Sequence, residues 1–425
     1  MATGEIKRTG ITALLALLLG GAAGLCTAQP SWITVGDDAL RALRTVSPAS
    51  QPMSSAEVPV SVPERRGSRT LVQGRDRVHV VEVDEQTLPW LSMAVHAQLH
   101  RCGGFVRHDS MAEALAVLHR LQTPTPVAPA APGYAIDNPD TVTPLLAQMQ
   151  SSRILATMQS LSDFQNRFYT SSQGVAASNW LFGQWKQIAA GRSDVKVSQV
   201  RHAGWPQRSV SLVIPGSTNA RETVVLGAHL DSIGPGAGDA MHAPGADDDA
   251  SGVASLTEVI RVLLASGYRP RRTIEFIAYA AEEVGLRGSQ QIASRYARQG
   301  KPVVGVLQLD MTAYQGDPTD LWIYTDYTDA AQNQFVADLA AAYLPQLTVG
   351  YDRCGYGCSD HASWTGRGFA ASFPFEASDA HYNKALHTTN DVLATFGSQA
   401  EHALKFSRLA LAFAVELGSD GPGVR

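Results

Sequence analysis

After residue 135, short apolar runs alternate with amphipathic segments. The apolar runs predict strands over residues 209–214, 223–226, 273–279, 303–309 and 321–325. Apolar residues at three- and four-residue spacing predict helices over 142–161 and 172–188. Another helix begins after Asp249 or Ser251, either of which can cap it, and ends before Gly267. Strands that alternate with helices indicate an α/β sandwich with a largely parallel sheet.

The region before residue 122 is more polar, and its pattern is weaker. Alternation predicts a strand over 77–83, and apolar spacing predicts an amphipathic helix over 110–121. We interpret the histidines of this region as surface residues: His79, His96, His100, His108 and His119. His96 and His100 have the spacing of a helical metal pair, but no acidic partner stands in register with them.

A proline-rich stretch separates this region from the rest of the chain, and such stretches are extended and exposed. We therefore divide the chain into a signal peptide (1–28), a small α+β N-terminal module (29–121), a linker (122–135) and a larger unit (136–425). Because an exposed linker is a natural processing site, the module fits a removable propeptide, and a permanent accessory domain is the alternative that stays open.

The first residues have the pattern of an export signal. Lys7 and Arg8 precede an apolar run that starts at Ile11, and small residues precede a cleavage site after Ala28. The run is short and interrupted by glycine, which disfavours a membrane-spanning helix. We expect a secreted protein, extracellular or periplasmic, with no membrane attachment after the signal is removed.

Composition argues against a nucleic-acid partner. The net charge is -5, so no basic excess is available to neutralise phosphates. Hydrophobic residues make up 44% of the chain, which is typical of a globular protein rather than a disordered one. We expect the protein to be a monomer.

Export also bears on the cysteines, because disulfides persist outside the cytosol. Cys354 and Cys358 enclose a short Gly-Tyr-Gly segment, which suits a small disulfide loop. The alternative, a metal-binding cysteine pair, lacks a second pair to complete the site. Cys26 leaves with the signal peptide, and Cys102 stands alone in the N-terminal module.

Acidic residues and histidines stand where several predicted strands end or where a helix begins. They are His229, Asp231, Asp247, Asp248, Asp249, Glu282, Glu283 and Asp310, with His387 from a later loop. Each one alone also fits a structural cap or hydrogen-bond network. Three adjacent carboxylates repel one another, and a helix N-terminus offsets typically less than about 1 kcal/mol per charge. Two divalent cations such as Zn²⁺, sharing one carboxylate, would account for the set better.

The motifs around these residues resemble the secreted bacterial leucyl aminopeptidases (Vibrio type) of the M28 zinc peptidase family. The similarity covers roughly residues 136–415 and rests on motifs in the right order. These are His229-Leu-Asp231, Pro244-Gly-Ala-Asp-Asp-Asp-Ala-Ser-Gly252, Tyr279-Ala-Ala-Glu-Glu-Val-Gly-Leu-Arg-Gly-Ser289, Leu307-Gln-Leu-Asp-Met311, Cys354-Gly-Tyr-Gly-Cys-Ser-Asp-His361 and His387-Thr-Thr. The resemblance implies a three-layer α/β sandwich whose mixed, largely parallel central sheet is flanked by helices.

The resemblance also implies two zinc ions per chain and a role for each ligand position. His229 and Asp310 would bind one ion, and Glu283 and His387 would bind the other. Asp248 would bridge them, a choice that spacing alone does not make among the three aspartates. The peptide bond that follows Asp248 would be cis.

By the same resemblance, Glu282 would be the general base and acid, and Asp231 would support His229 from behind. The substrate would be a peptide with a free N-terminus, preferably leucine or another hydrophobic residue. The pocket for that residue would be formed by Met311, Tyr324, Cys354, Tyr356, Cys358, Phe375 and Tyr382. Phe375 also fits a plain core aromatic, and Asp379 stands where an aromatic is expected, so strict preference for large residues stays open.

Two other functions share this type of domain. A glutaminyl cyclase works with a single zinc, and a non-catalytic binding domain has lost ligands. All five ligand positions and the Glu282-Glu283 pair are present here, which favours the peptidase. Consecutive residues such as Ser359-Asp-His361 do not form a serine triad, and we expect His242 to be exposed.

Overall fold

The computed structural model describes residues 30–99, 104–122 and 134–419. The predicted signal peptide, His100, Cys102 and nearly all of the proline-rich linker lie outside the described residues, so the predicted boundaries stay predictions. Among the helices that are described, none has both the length and the apolar character needed to span a membrane.

The N-terminal module is an antiparallel four-stranded sheet with helices on both faces. Its elements are β1 (Pro30–Gly36), α1 (Asp37–Val46), β2 (Pro52–Pro63), β3 (Leu71–Asp84), α2 (Leu88–Leu99), β4 (Phe105–His108) and α3 (Met111–Gln122). The strand order is β2-β3-β1-β4. Helices α1 and α2 share a core with one face of the sheet, and α3 packs on the other face. The predicted strand over 77–83 and helix over 110–121 are confirmed as parts of β3 and α3.

The larger unit is built on a mixed eight-stranded sheet. Its elements are α4 (Pro139–Leu146), α5 (Ser151–Ser162), α6 (Ser172–Ile188), β5 (Lys196–Val200), β6 (Ser209–Ile214), β7 (Asn219–His229), α7 (Ala250–Ala265), β8 (Arg272–Tyr279), α8 (Arg287–Arg298), β9 (Val303–Gln308), β10 (Leu321–Tyr324), α9 (Ala330–Tyr343), β11 (Val349–Asp352), α10 (His361–Thr365), β12 (Ala371–Phe375) and α11 (Glu401–Ser419). The strand order is β11-β10-β12-β9-β7-β8-β6-β5.

The centre of this sheet, from β12 through β9 and β7 to β8, is parallel, and antiparallel pairs lie on either side of it. Side chains of β7 alternate between two buried layers. Val224, Leu226 and Ala228 join a core that includes α7 and α11, while Val225 joins a core that includes α8. Both faces of the sheet are therefore covered, which confirms the three-layer α/β prediction.

The predicted elements of the larger unit are present, with one difference. The helix predicted over 142–161 is divided into α4 and α5. The amide of Gln150, just before α5, donates a hydrogen bond to the buried carboxylate of Glu258 on α7 at 2.8 Å. The beginning of α5 is thus held by a residue that is distant in sequence. Local apolar spacing does not reveal a helix break that depends on such a contact. Asp249 caps α7 as expected, accepting from the amide of Gly252 at 2.8 Å.

Candidate active site

The candidate functional residues meet at one edge of the central sheet. Strand β7 ends at His229, and the loops after β8 and β9 carry Glu283 and Asp310. Asp248 lies in the loop before α7, and His387 lies between β12 and α11. Because the carboxyl ends of adjacent parallel strands open at the same edge, the loops that follow them converge there.

Two groups of potential metal ligands share Asp248. The ligand atoms of His229, Asp248 and Asp310 all lie within 4.8 Å of one another, as do those of Asp248, Glu283 and His387. His229 Nε2 is 2.9 Å from Asp248 Oδ1 and 3.5 Å from Asp310 Oδ1. His387 Nε2 is 2.8 Å from Glu283 Oε2 and 3.3 Å from Asp248 Oδ2. The two oxygens of Asp248 thus face different histidines, as a bridging carboxylate requires.

The donor set fits metal ions. All five side chains are buried, and several of their polar atoms have no hydrogen-bond partner among the described residues. These atoms are Asp248 Oδ2, Glu283 Oε1 and Oε2, Asp310 Oδ1, and both ring nitrogens of His387. Some of them lie in close ion-pair contact, but without hydrogen bonds. Buried charges without hydrogen bonds are costly, and a divalent cation would compensate for them. Imidazole nitrogens and carboxylate oxygens are typical zinc ligands.

Asp249 ties three chain segments together beneath the two ligand groups. One carboxylate oxygen accepts from the amide of His229 at 2.9 Å, and the other accepts from the amides of Gly252 at 2.8 Å and Met311 at 3.2 Å. The peptide bond between Asp248 and Asp249 is cis, as the resemblance implied. Asp249 is therefore a structural support, and the Asp248 side chain alone faces both ligand groups.

The first aspartate of the triplet belongs to a separate buried acidic cluster. Asp247 accepts from the amide of Ala313 at 3.0 Å and from Asn383 Nδ2 at 3.1 Å. It also pairs with Glu376, whose pKa is raised well above its usual value by burial and by the charge of Asp247. The carboxylate of Asp391 accepts from the Asp247 amide at 3.1 Å, so the cluster holds the backbone of the aspartate loop.

Glu282 lies beside the ligand groups without belonging to either of them. It is 2% exposed, and its Oε2 has no hydrogen-bond partner among the described residues. Burial raises the pKa of Glu282 well above its usual value, and the charge of Glu283 adds to the rise against the attraction of His229. A buried carboxyl group with a raised pKa beside a metal centre is suited to proton transfer.

Asp231 supports two of the segments that carry ligands, the end of β7 and the loop after β8. Its carboxylate accepts from the amides of Glu282 at 2.9 Å and Glu283 at 3.2 Å. Nδ1 of His229 lies 3.1 Å from the Asp231 carbonyl oxygen and 3.8 Å from Oδ1 of its carboxylate. The imidazole is therefore oriented mainly by the backbone of Asp231, while the side chain holds the glutamate loop.

Three non-glycine residues at the site adopt a left-handed backbone. Ala281 precedes the glutamate pair with φ 58°, Met311 follows Asp310 with φ 56°, and the ligand candidate His387 has φ 57°. Such conformations are uncommon for residues with a Cβ and persist only where the surrounding structure holds them. Their concentration here is typical of a functional site.

The residues predicted to bind the substrate side chain form one buried apolar cluster next to Asp310. It includes Met311, Tyr324, Cys354, Tyr356, Cys358, Phe375 and Tyr382. A disulfide joins Cys354 and Cys358. The Phe375 ring centroid lies 4.8 Å from that of Tyr324 and 5.8 Å from that of Tyr382. Asp379 is partly exposed, and its amide donates to Asp352 at 3.0 Å.

Some of the histidines lie where the sequence predicted, and others do not. His242 is exposed as predicted, and His361 Nε2 lies 3.1 Å from the carbonyl oxygen of Asp326, outside any triad. The prediction that the module histidines are surface residues is wrong for His79 and His108, which are buried. Both lie on strands and face the interior of the module, which the weak alternation there did not reveal. The prediction is confirmed for His119, which is exposed.

Helix α2 of the N-terminal module lies over the ligand groups. Ser92 Oγ donates a hydrogen bond to the carbonyl oxygen of Glu283. The ring of His96, half-buried, lies 5.2 Å from the ring of His387, centroid to centroid. A continuous apolar cluster joins the module to loops around the site, and it includes Leu88, Leu91, Val95, Phe168, Tyr169, Trp205, Ala281 and Val284. The interpretation of His96 as a surface histidine is therefore wrong.

An α/β sheet whose strand ends bring together two histidine and carboxylate groups with one shared carboxylate defines a metal-dependent hydrolase. Residues 209–414 match Peptidase family M28. The chain is 37% identical over 288 residues to leucine aminopeptidase 1 of Coccidioides posadasii (strain C735), covering 64% of this chain and 73% of that protein. The chain belongs to peptidase family M28 and is a metallo-aminopeptidase.

Two solved structures from Legionella pneumophila are similar over most of the chain. The LapA aminopeptidase is 30% identical with a TM-score of 0.73, over 93% of this chain and 100% of that one. LapB is 28% identical with a TM-score of 0.73, over 92% of this chain and 100% of that one. A match this long extends beyond the larger unit, so both similarities include residues of the N-terminal module.

Proposed function

We propose that this chain is a secreted dizinc aminopeptidase that removes leucine or another hydrophobic residue from the N-terminus of peptides. The observation that carries the proposal is the position of Asp248 between two complete ligand groups. His229, Asp310 and Asp248 would hold one zinc, and Glu283, His387 and Asp248 would hold the other. The buried polar atoms of these side chains that lack hydrogen bonds support both sites.

Zinc at this centre would lower the pKa of a water molecule and polarise the scissile carbonyl group. Glu282 would take the proton of that water and deliver it to the amine of the leaving peptide. Its burial favours this exchange, since a raised pKa makes the carboxylate a stronger proton acceptor than an exposed glutamate. Asp231 would keep Glu282 in place through its hydrogen bond to the Glu282 amide.

The apolar cluster around Phe375 would receive the side chain of the residue to be removed. Burying a leucine side chain contributes about 1.5 to 3 kcal/mol, enough for a preference without exclusion of other residues. Because Met311 directly follows Asp310, this cluster adjoins the centre at which the free amine and the scissile bond would be held. We expect the active enzyme to be a monomer.

We further propose that the N-terminal module keeps the intact chain inactive until it is removed. Helix α2 contacts the backbone of Glu283 through Ser92, and its His96 ring lies 5.2 Å from the ring of His387, so the helix covers both of these ligand candidates. Ion pairs reinforce the docking, among them Arg287 with Glu85 at 2.6 Å. A peptide and α2 would therefore compete for the same space.

The alternative function is that of a glutaminyl cyclase, which works with a single zinc. The second ligand group disfavours it, because a single zinc needs no carboxylate shared between two groups. The test uses the purified full chain before and after limited proteolysis in the linker. We expect two zinc ions per chain by elemental analysis and hydrolysis of leucine p-nitroanilide after cleavage. Cyclisation of an N-terminal glutamine peptide, with leucine p-nitroanilide left intact, would overturn the proposal.

A further inference from the structure

Arg167 is completely buried beneath the candidate metal centre. It lies in the loop between α5 and α6 and is 0% exposed. Taking a guanidinium group out of water costs several kcal/mol unless its donors are satisfied and its charge is compensated. No carboxylate among the described residues lies within 4.0 Å of its nitrogens, so ordinary ion pairing does not explain its position.

Backbone carbonyl groups satisfy the guanidinium instead. Nε donates to Leu230 at 2.9 Å, Nη2 donates to Gly245 at 2.9 Å and to Asp248 at 3.4 Å, and Nη1 donates to Pro244 and, at 3.3 Å, to Leu161. Leu230 directly follows His229, and the loop from Pro244 to Asp248 carries the shared carboxylate. A single side chain thus joins the strand end that presents one ligand to the loop that presents the bridging one.

Contacts around Arg167 hold it in this place. Its own amide donates to Ser232 Oγ at 2.9 Å, and its carbonyl oxygen accepts from Gln207 Nε2 at 2.8 Å. The loop is shaped to the guanidinium, since a Cβ on Gly245 would come within 2.7 Å of Arg167 Nη2 and 2.4 Å of the Asp248 carbonyl oxygen. Gly245 has φ 53°, which also favours glycine.

We infer that Arg167 is a positioning residue for the metal centre: its guanidinium group sets the spacing between His229 and Asp248. The inference rests on the proposed dizinc function. Groups that orient metal ligands from outside change metal affinity or activity about 10- to 100-fold when they are removed. Buried Asp231, Asp249 and Asp391 also lie near the guanidinium charge, which offsets part of their repulsion.

Arginine is required for its shape as well as its charge. Its planar fork reaches carbonyl groups on three sides at once, whereas a lysine ammonium is a point charge on a flexible stem. Arg167→Lys therefore keeps the charge and loses most of the connections. A matched control is Arg272→Lys, because Arg272 is 5% exposed and donates to Glu222 and to the Leu417 carbonyl oxygen at the opposite end of β8.

The experiment measures zinc affinity of the intact chain by competition with a chromophoric chelator. Circular dichroism and thermal unfolding are recorded on the same samples. We expect Arg167→Lys to remain folded and to bind zinc about 10- to 100-fold more weakly. After linker cleavage its kcat should fall, with KM changed less than about threefold. Arg272→Lys should lower the unfolding temperature and keep the zinc affinity of the wild type.

A second variant guards against misfolding. Arg167→Ala refolded with guanidinium chloride at millimolar concentration should regain zinc affinity, and methylammonium chloride at the same concentration should not restore it. Wild-type zinc affinity in folded Arg167→Lys would overturn the inference, as would loss of folding in both variants without recovery by guanidinium. A wild-type chain that binds one zinc would contradict the dizinc proposal, and the role of Arg167 would then be decided by its effect on that zinc.

Discussion

The ring of His96 in the N-terminal module lies 5.2 Å from the ring of His387 in the candidate metal centre. The two residues are far apart in sequence, and the contact exists only because α2 packs across the loops that carry the ligands. Ser92, about one turn before His96, donates to the Glu283 carbonyl oxygen. Release of the module would therefore expose Glu283 and His387 together.

Cleavage in the linker is expected to raise kcat/KM for leucine p-nitroanilide by at least about tenfold. A tenfold increase means that the docked module costs the reaction with substrate about 1.4 kcal/mol of free energy. The assay compares intact chain with chain treated by limited proteolysis, with mass spectrometry to locate the cut. Glu282→Gln treated in the same way should stay inactive, which excludes activity of the added protease. Equal activity before and after the cut would identify the module as a permanent accessory domain.

Glu282→Gln is expected to keep two zinc ions and to lower kcat about 10²- to 10⁴-fold, because the amide cannot accept the proton. Steady-state kinetics on the cleaved enzyme and elemental analysis measure the two quantities separately. Glu416→Gln is a suitable comparison, since Glu416 is also buried but hydrogen-bonds Asn138 and lies away from the centre. Near-normal kcat in Glu282→Gln would refute its role as the proton carrier.

Replacing the ligands one at a time should separate the two metal sites. His229→Ala and His387→Ala should each reduce the zinc content by about one ion, because each histidine belongs to only one ligand group. Asp248→Ala should affect both ions, since both groups contain this side chain. Elemental analysis after gel filtration gives the count, and His242→Ala should retain both ions. Loss of only one zinc from Asp248→Ala would contradict a bridging role.

Acid is expected to destabilise the N-terminal module through His108, which is 1% exposed and lies 3.0 Å from Thr34 Oγ1. Burial, with smaller contributions from the charges of Arg367, Arg107 and Arg120, lowers the pKa of His108 from 6.5 to about 3. The pKa of His108 is lower in the folded state than in the unfolded state, so acid protonates the unfolded chain first. The contribution of neutral His108 to folding stability is therefore complete above pH 6.5 and is lost as the pH falls towards 3.

Thermal unfolding of the intact chain at several pH values between 7 and 4 measures this effect. In this window one buried histidine contributes a dependence of at most about 1.4 kcal/mol per pH unit. His108→Gln removes the titrating group, so its stability should fall less steeply with acid than that of the wild type. His119→Gln, at an exposed position of the same module, should follow the wild type. Identical slopes for His108→Gln and wild type would refute the prediction.

Local pattern located β7, β8 and β9 of the sheet centre, and also β6 and β10, because strands buried on both faces are short apolar runs, as in β6 and β8. It did not predict β12, the fourth strand of the sheet centre. It was less informative in the module, where β2 has mostly exposed and half-buried positions. The division between α4 and α5 also escaped it, since the contact of Gln150 with Glu258 joins residues distant in sequence. Periodicity indicates which face of a segment is buried. It does not indicate which contacts other segments make with that segment.

Arg167, Glu376 and Asp391 were missed among the residues that build the site. The one local signal for Arg167 is an arginine close to Phe164, Phe168 and Tyr169, a composition that many surface loops share. Its hydrogen bonds go to backbone carbonyl groups, which every residue possesses. A residue of any type can offer a backbone carbonyl group to Arg167. The sequence therefore contains no pair of residue types that would predict these hydrogen bonds.

The sequence by itself determined the family, the α/β layering and the residue types available to a metal centre. The location of the candidate centre follows from the fold, because the loops after parallel strands meet at one edge of the sheet whatever their own conformations. The family resemblance pointed to Asp248 as the shared ligand, but only the tertiary structure showed that Asp247 and Asp249 turn to supporting contacts and that α2 lies over Glu283 and His387. These outcomes depend on hydrogen bonds and packing between distant segments, and such contacts form only once the whole chain has folded.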